Sequence, residues 1–507
     1  MKPLNLAFAL ALVTLPMVLE AAEREPFQRH QRNRPDPYDA GADWLQFNDA
    51  PGEPPGDVRT VSAFNVDRMR LGWRTKLPEP TDGSAVYVSD VETEWGDLDL
   101  VIVLTTQGRL VALDARSGAI VWKTTPPAGP RWTTSSPAVD PNRKYVYGYA
   151  LDGYIHRYAI EDGHEVSGDG WPQLVTLKGE VEKGSSALNI ATTKDGHNFL
   201  YMTTAGYPDP GDEGDYQGHL VTVDLATGRQ NVFNAACSDR AMHFVENGDG
   251  TNDCHNVQAG IWARAGAVYD PVTDRVFITT GNGVFDADQG GYNWGSSIVA
   301  LRPDGSSDAG TPLDSYTPTD YQRITDLDLD LSSTGVAILP AAPGFPHLGV
   351  QAGKDWMIRL LDLEDLSGRG APRHIGGELQ LLQVPQGGEV HTRPATWLNP
   401  TTKKPWVFVA NREGLSAFCL MMINDEPRLS LRWTSLGAAT SPIVANNVLY
   451  YAHRGEIVAL DAKTGRKLWS DDQTLGGIHW QSPILVNGRL YIGDNDGYVT
   501  AFWISGR

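Results

Sequence analysis

Short β-rich apolar runs recur along most of the chain, and many close on the same polar signal. Gly108-Arg-Leu-Val-Ala-Leu leads into Asp114-Ala-Arg-Ser-Gly118, and Trp122 follows. The order returns from Gly455 to Trp469, around Asp461 and Gly465, and from Gly218 to Gly228, around Asp224. Weaker copies begin at Gly153, Ser296, Trp356, Gly414 and Gly497. Alternating apolar residues make a strand with one buried face. Asp-x-x-(Ser/Thr)-Gly closes a hairpin, because Asp caps the turn and Gly accepts positive φ. The Trp that follows carries a large apolar area able to dock between neighbouring sheets. Ser-Pro-x-Val or its like (Ser136, Ser441, Ser482) then opens the next strand.

The runs preceding these signals number eight, beginning near Val101, Tyr145, Leu200, Val276, Leu348, Trp406, Val448 and Leu490. The last three starts are 42 residues apart, the length of a four-stranded propeller blade. The final unit is half complete at Arg507, while Leu71–Leu77 resembles a Trp strand and Ser84–Val88 the strand after it. The expectation is an all-β, eight-bladed β-propeller over residues 59–507, whose two termini complete one blade and so remove exposed sheet edges. Middle units are longer: the spacings 199 to 276 and 276 to 348 are 77 and 72 residues. The excess predicts long loops around 206–260 and 284–335, and long loops on rigid scaffolds carry function.

Composition narrows the class. Of 507 residues, 53 are Gly and 33 Pro, which favours tight turns over long helices. Lys and Arg number 42 against 62 Asp and Glu, a net charge of −20 that repels phosphate backbones and excludes nucleic acid as a partner. Residues 1–22 carry one early Lys and an apolar run from Leu4 to Leu19, which reads as a secretory signal peptide. No later stretch would anchor the chain in a membrane after cleavage, so a periplasmic or secreted protein is expected. Residues 23–58, rich in Pro, Asp, Arg and Gly, read as an extended lead-in. In an oxidising compartment Cys237 and Cys254 are expected to form a disulfide, and Cys419 to be a buried thiol. No Cys-x-x-Cys-His is present, so covalent c-type haem is not expected.

In a propeller, residues just before each innermost strand surround one mouth of the central channel. Here they include Arg131, Trp132, Lys183, Trp262, Arg264, His391, Arg393, His479 and Trp480. Cations and flat rings gathered in an acidic protein suit a planar anionic ligand. They can equally cap the core and pair with local carboxylates. Asn247-Gly-Asp249-Gly-Thr251-Asn-Asp253 places oxygens at alternate positions, but lacks the downstream Glu of an EF-hand.

The repeat resembles that of pyrroloquinoline quinone (PQQ) propellers, found in quinoprotein dehydrogenases and in non-catalytic envelope proteins. From about Gly206 to Gly368 the likeness is to calcium- and PQQ-dependent alcohol dehydrogenases. It rests on Ile261-Trp262, Tyr269-Asp270-Pro271, Thr280-Gly-Asn282-Gly, Gly291-Tyr-Asn-Trp-Gly-Ser-Ser, Thr317-Pro318, an Asp-x-Asp-x-Asp run and Gln351-Ala-Gly-Lys354. The resemblance implies calcium ligands at Glu213 and Asn282, a quinone-contacting Lys354 and a stacking Trp262. From the channel-mouth group, Arg264, Arg393 and Trp480 are expected to add to the cofactor pocket. It implies a catalytic Asp among Asp326, Asp328 and Asp330, the choice left open by counting from either side. The adjacent Cys pair that covers the quinone in that family is absent.

Two readings follow. In one, an Asp accepts the proton of an alcohol, sugar or polyol as hydride leaves for PQQ, and electrons pass to a separate acceptor such as a cytochrome c. In the other, the propeller is a non-catalytic binding or assembly scaffold of the cell envelope.

Overall fold

The computed structural model describes residues 42–47, 61–207, 215–245 and 254–504. The predicted signal peptide, most of the lead-in, Glu213 and the loop 247–253 lie outside the described residues. Eight antiparallel sheets surround one axis, seven of four strands and one with a fifth short strand. This is the expected eight-bladed propeller. Blade 1 holds Val86–Thr93, Gly96–Leu104, Leu110–Asp114 and Ile120–Lys123 in hydrogen-bonded order. Blades 2 to 7 follow in sequence, each starting at the axis, and first strands touch across the junctions of blades 2 and 3, 5 and 6, and 6 and 7.

Blade 8 closes the ring. Ile484–Val486, Arg489–Gly493 and Tyr498–Ile504 come from the C-terminal part, and Met69–Lys76 is its outermost strand. Ser84–Val88 does not complete this blade with it; that segment enters the first strand of blade 1.

The repeated turn explains how blades lock together. Asp114 caps the hairpin through Arg116 N at 3.1 Å and through the Ser117 hydroxyl, and Gly118 follows at φ +75°. A Cβ on Gly118 would stand 2.5 Å from the indole of Trp73, so glycine is needed for both the dihedral and the space. Trp73 Nε1 donates to Ala115 O at 3.1 Å. Trp122 repeats the contact on Ile160 O at 3.0 Å, and Trp433 on Ala462 O at 3.1 Å. Each Trp of one blade thus buries its ring under the turn of the next.

Serine hydroxyls stitch the strand entries around the axis. Ser84 N donates to Ser136 Oγ at 2.8 Å, Ser84 Oγ to Ser482 O at 3.1 Å, and Ser482 Oγ to Ser441 O at 2.8 Å. The described part of the lead-in crosses beside this belt. Trp44 and Tyr87 exchange backbone bonds of 2.8 Å, Leu45 O accepts Val139 N at 2.8 Å, and Gln46 Oε1 accepts Ile190 N at 2.6 Å. Phe47 packs with Ala187, Ala265 and Val268, so residues 42–47 touch blades 1 to 4 in turn.

The inserted length is not two loops. Strands His219–Asp224 and Gln230–Asn234 lie inside the span 206–260, and Ile298–Leu301 and Asp314–Tyr316 inside 284–335. The extra residues fall in the connections 235–267, 280–297 and 317–336, the last carrying the short helix Tyr321–Asp326. Cys237 and Cys254 form the expected disulfide, and Cys419 is a buried free thiol. No helix among the described residues is long and apolar enough to cross a membrane.

Candidate functional site

Three connections converge beside the axis between blades 4 and 5. Asn282 follows the second strand of blade 4, Asp328 and Asp330 lie in the link between the blades, and Lys354 occupies a turn of blade 5. Lys354 Nζ reaches Asp328 Oδ2 at 3.0 Å and Asp330 Oδ2 at 3.2 Å. Asn282 N donates to Asp330 Oδ1 at 2.9 Å, and Asn282 Nδ2 to Asp328 Oδ1 at 2.7 Å. Since the amide donates to Asp328, its carbonyl points elsewhere. Asn282 Oδ1 is buried and accepts no hydrogen bond, and the same holds for Ser332 Oγ nearby. A Cβ at Gly281 would stand 2.4 Å from Asp330 Oδ1 and 2.7 Å from Ser332 Oγ, so glycine lets these oxygens close in. Unpaired buried oxygens are costly unless a cation or donor meets them. Two carboxylates and two orphaned oxygens form a hard-oxygen set that fits calcium.

The two carboxylates are not equivalent. Asp328 is 78% exposed at a left-handed φ of 55°, whereas Asp330 is 15% exposed. Burial raises the Asp330 carboxyl above its usual range, against the pull of Lys354 and of the Asn282 N–H. Burial works against the charge on Lys354, but Asp330 and Asp328 outweigh it and raise the ammonium. Asp326 does not join them; its carboxylate accepts from Gln322 Nε2 at 2.8 Å on the exposed face of the helix.

The predicted rings and cations form a second, adjoining group. His391 meets Trp262 edge-on at 5.6 Å and lies tilted against Trp480 at 5.2 Å. Arg264 lies over Trp480 at 4.8 Å and stands 4.0 Å from Asp82, which also pairs with His479 at 3.0 Å. Burial lowers Arg264 to about 10, opposed by Asp82. Burial pushes His391 down to about 4, against the pull of Glu389, and Lys354 adds to the lowering. Arg131 and Trp132 both pack on Tyr207, at 4.6 and 5.4 Å. Arg393 takes another direction: it lines a cavity of about 260 Å3 with Gln46, Phe47 and Asn189. Burial lowers it to about 10.

Lys183 is 4% exposed; it hydrogen-bonds Ser185 Oγ at 3.1 Å and Thr134 Oγ1 at 3.3 Å. Burial first, and Arg264 second, lower it to about 7, while Asp82 opposes them. A lysine with a depressed native pKa binds fewer protons than the unfolded chain between about pH 7 and 10.5. Its penalty is full below pH 7 and fades as pH rises through that window. Lys183→Met is therefore expected to melt above the parent at pH 7, with the gap narrowing toward pH 10 in thermal scans.

A profile described as outer membrane protein assembly factor BamB, built on PQQ-type repeats, matches residues 58–311 and 379–506. The chain belongs to this PQQ-repeat propeller family. Asp328, Asp330 and Lys354 lie between the two matched segments. It is 24% identical over 425 residues to the dehydrogenase subunit of the quinone alcohol dehydrogenase of Gluconobacter oxydans strain 621H, across 76% of this chain and 52% of that one. The chain thus spans about half the length of that relative. A europium-containing methanol dehydrogenase shares the fold at TM-score 0.62 and 15% identity, over 92% of this chain and 99% of that one. BamB from Moraxella catarrhalis does so at TM-score 0.51 and 13% identity, over 87% and 98%.

Ser332 carries no motif that marks it in the sequence, and Trp356 is marked there only as the start of a repeat copy, although it stands where blades 1, 2 and 8 place glycine.

Proposed function

We propose that this protein is an exported oxidoreductase that oxidises an alcohol, sugar or polyol with calcium and PQQ and hands the electrons to a separate acceptor. The observation that carries the reading is the orphaned Asn282 Oδ1 beside Asp330, Asp328 and Lys354. Asn282 and Asp328 would hold the cation beside Asp330, with Glu213 added from the resemblance. Trp262, Trp480, Arg264 and Lys354 would hold the quinone, without Arg393, which lines the separate cavity beside Gln46 and Phe47. When bound, the quinone supplies the hydride acceptor and the cation polarises it.

The chain's own part is proton transfer and electrostatics. Asp330 accepts the substrate hydroxyl proton. Its carboxyl is buried, and burial raises it above the usual range against the pull of Lys354, which makes it a stronger base than an exposed aspartate. Asp328 holds the Asn282 amide so that its oxygen faces the cation, and Lys354 stabilises negative charge next to the rings.

The test is titration of purified protein with calcium and PQQ, followed by dye reduction over an alcohol panel. Calcium-dependent quinone binding is expected, and Asn282→Ala is expected to weaken calcium binding at least tenfold. The likeness to an assembly factor favours the scaffold reading instead. Absence of quinone binding at micromolar concentration would leave that reading standing.

A further inference from the structure

A cavity of about 530 Å3 opens beside the cluster, walled by Trp356, Glu389, His391, Asn411, Glu413 and Trp480, with Arg412 and Arg454 also on its lining. His391 belongs to this wall and to the ring group around Trp262. Trp356 is two residues from Lys354.

The turn that carries Trp356 has a precedent inside the chain. In blades 1, 2 and 8 the second and third strands join through one geometry. Thr105 N donates to Arg109 O and Gly108 N to Thr105 O; Ala150 with Tyr154 and Gly153, and Asp494 with Tyr498 and Gly497, repeat it. The fourth residue is glycine each time, at φ +77°, +88° and +75°. Blade 5 makes the same pair of bonds, Gly353 N to Met357 O and Trp356 N to Gly353 O, both 3.2 Å. There the fourth residue is Trp356, at φ +65°.

A bulky residue in left-handed backbone is an outlier that persists only where its surroundings enforce it. Here the buried Asp355–Arg359 pair clamps the turn, and Trp356 O accepts Val384 N at 2.8 Å. Packing does not explain the side chain, because the residue is 46% exposed. A strained indole held open at a cavity mouth is placed for contact with a ligand.

We propose that Trp356 and Glu413 form a subsite for a polyhydroxylated substrate, a sugar or sugar alcohol, rather than a short monohydric alcohol. The inference deepens the dehydrogenase reading and rests on it for the fate of the bound substrate. The indole face would take the C–H face of the sugar. Glu413, exposed and without an ion pair among the described residues, would accept hydroxyl protons in hydrogen bonds, and Asn411 and the guanidinium groups would complete the polar wall. The volume is in the range that holds ring-sized ligands, far more than ethanol or propanol fills.

Calorimetric titration of the full chain without cofactor, using sorbitol, glucose and 1-propanol, tests this. Sorbitol or glucose is expected to bind at least tenfold tighter than 1-propanol. Trp356→Gly is expected to weaken that binding about tenfold while the melting temperature holds or rises, because glycine relieves the left-handed backbone. Glu413→Gln is expected to weaken it about threefold. Equal affinities for the three compounds, or a lower melting temperature in Trp356→Gly with unchanged sugar binding, would overturn the subsite. A parallel quinone titration of the parent protein separates the two readings: sugar binding without quinone binding refutes the dehydrogenase and keeps the subsite, and the reverse does the opposite.

Discussion

Asp330→Asn is expected to lower kcat for substrate oxidation by about 10²- to 10⁴-fold, measured as dye reduction at saturating calcium and quinone. The substitution keeps the size of the side chain and an oxygen for the Asn282 N–H, now 2.9 Å away, but removes the basic carboxylate. Asp326→Asn is expected to leave the rate near the parent value, because that exposed carboxylate pairs with Gln322 and makes no bond to Lys354 or Asn282. Asp328→Asn should act mainly through affinity. Its side chain is solvent-exposed, and its contacts are to Asn282 Nδ2 and Lys354, so its loss frees the amide to turn and weakens cation binding. A comparable loss of kcat in Asp326→Asn, with Asp330→Asn active, would reassign the base.

These three residues also show where sequence reading stops. Asp326, Asp328 and Asp330 alternate, and position alone ranks none of them. The chain separates them by folding: Tyr321–Asp326 turns as a helix, and Asp328 then adopts φ 55° and redirects the backbone. Only the last two carboxylates end up facing Lys354. By contrast, the blade was legible, because its information is local. Asp114, Gly118 and Trp122 act within one hairpin and its neighbour, so their spacing carries the geometry. The channel-mouth residues lie between. Their place before each first strand was readable, but side-chain direction was not. Trp262 and Trp480 both meet His391 and Arg264 lies over Trp480, whereas Arg393 turns toward Gln46 and Phe47. Trp356 was hidden for another reason: its meaning lies in departing from a turn that blades 1, 2 and 8 keep.

Trp73→Ala is expected to destabilise the protein by about 3–5 kcal/mol, and more than the same change at Trp433. Both rings lie under a turn glycine of the next blade, Gly118 and Gly465, and both donate to a backbone carbonyl at 3.1 Å. The difference is the junction. Trp433 lies within a sheet whose strands follow one another in the chain. Trp73 is on Met69–Lys76, which joins Tyr498–Ile504 by pairing across the whole length of the sequence, with a bulge between Leu71 and Trp73. Its ring also packs against Tyr491 at 5.9 Å and belongs to the core that unites blade 8 with blade 1. Removing it leaves a cavity where only noncovalent contacts keep the ring closed, and opening there exposes two unpaired sheet edges. Urea unfolding measures the cost, and hydrogen exchange locates it. Amides of Met69–Lys76 and Tyr498–Ile504 should lose protection ahead of the central blades. Equal costs at Trp73 and Trp433, with protection lost uniformly, would show that closure contributes no more than any other blade contact.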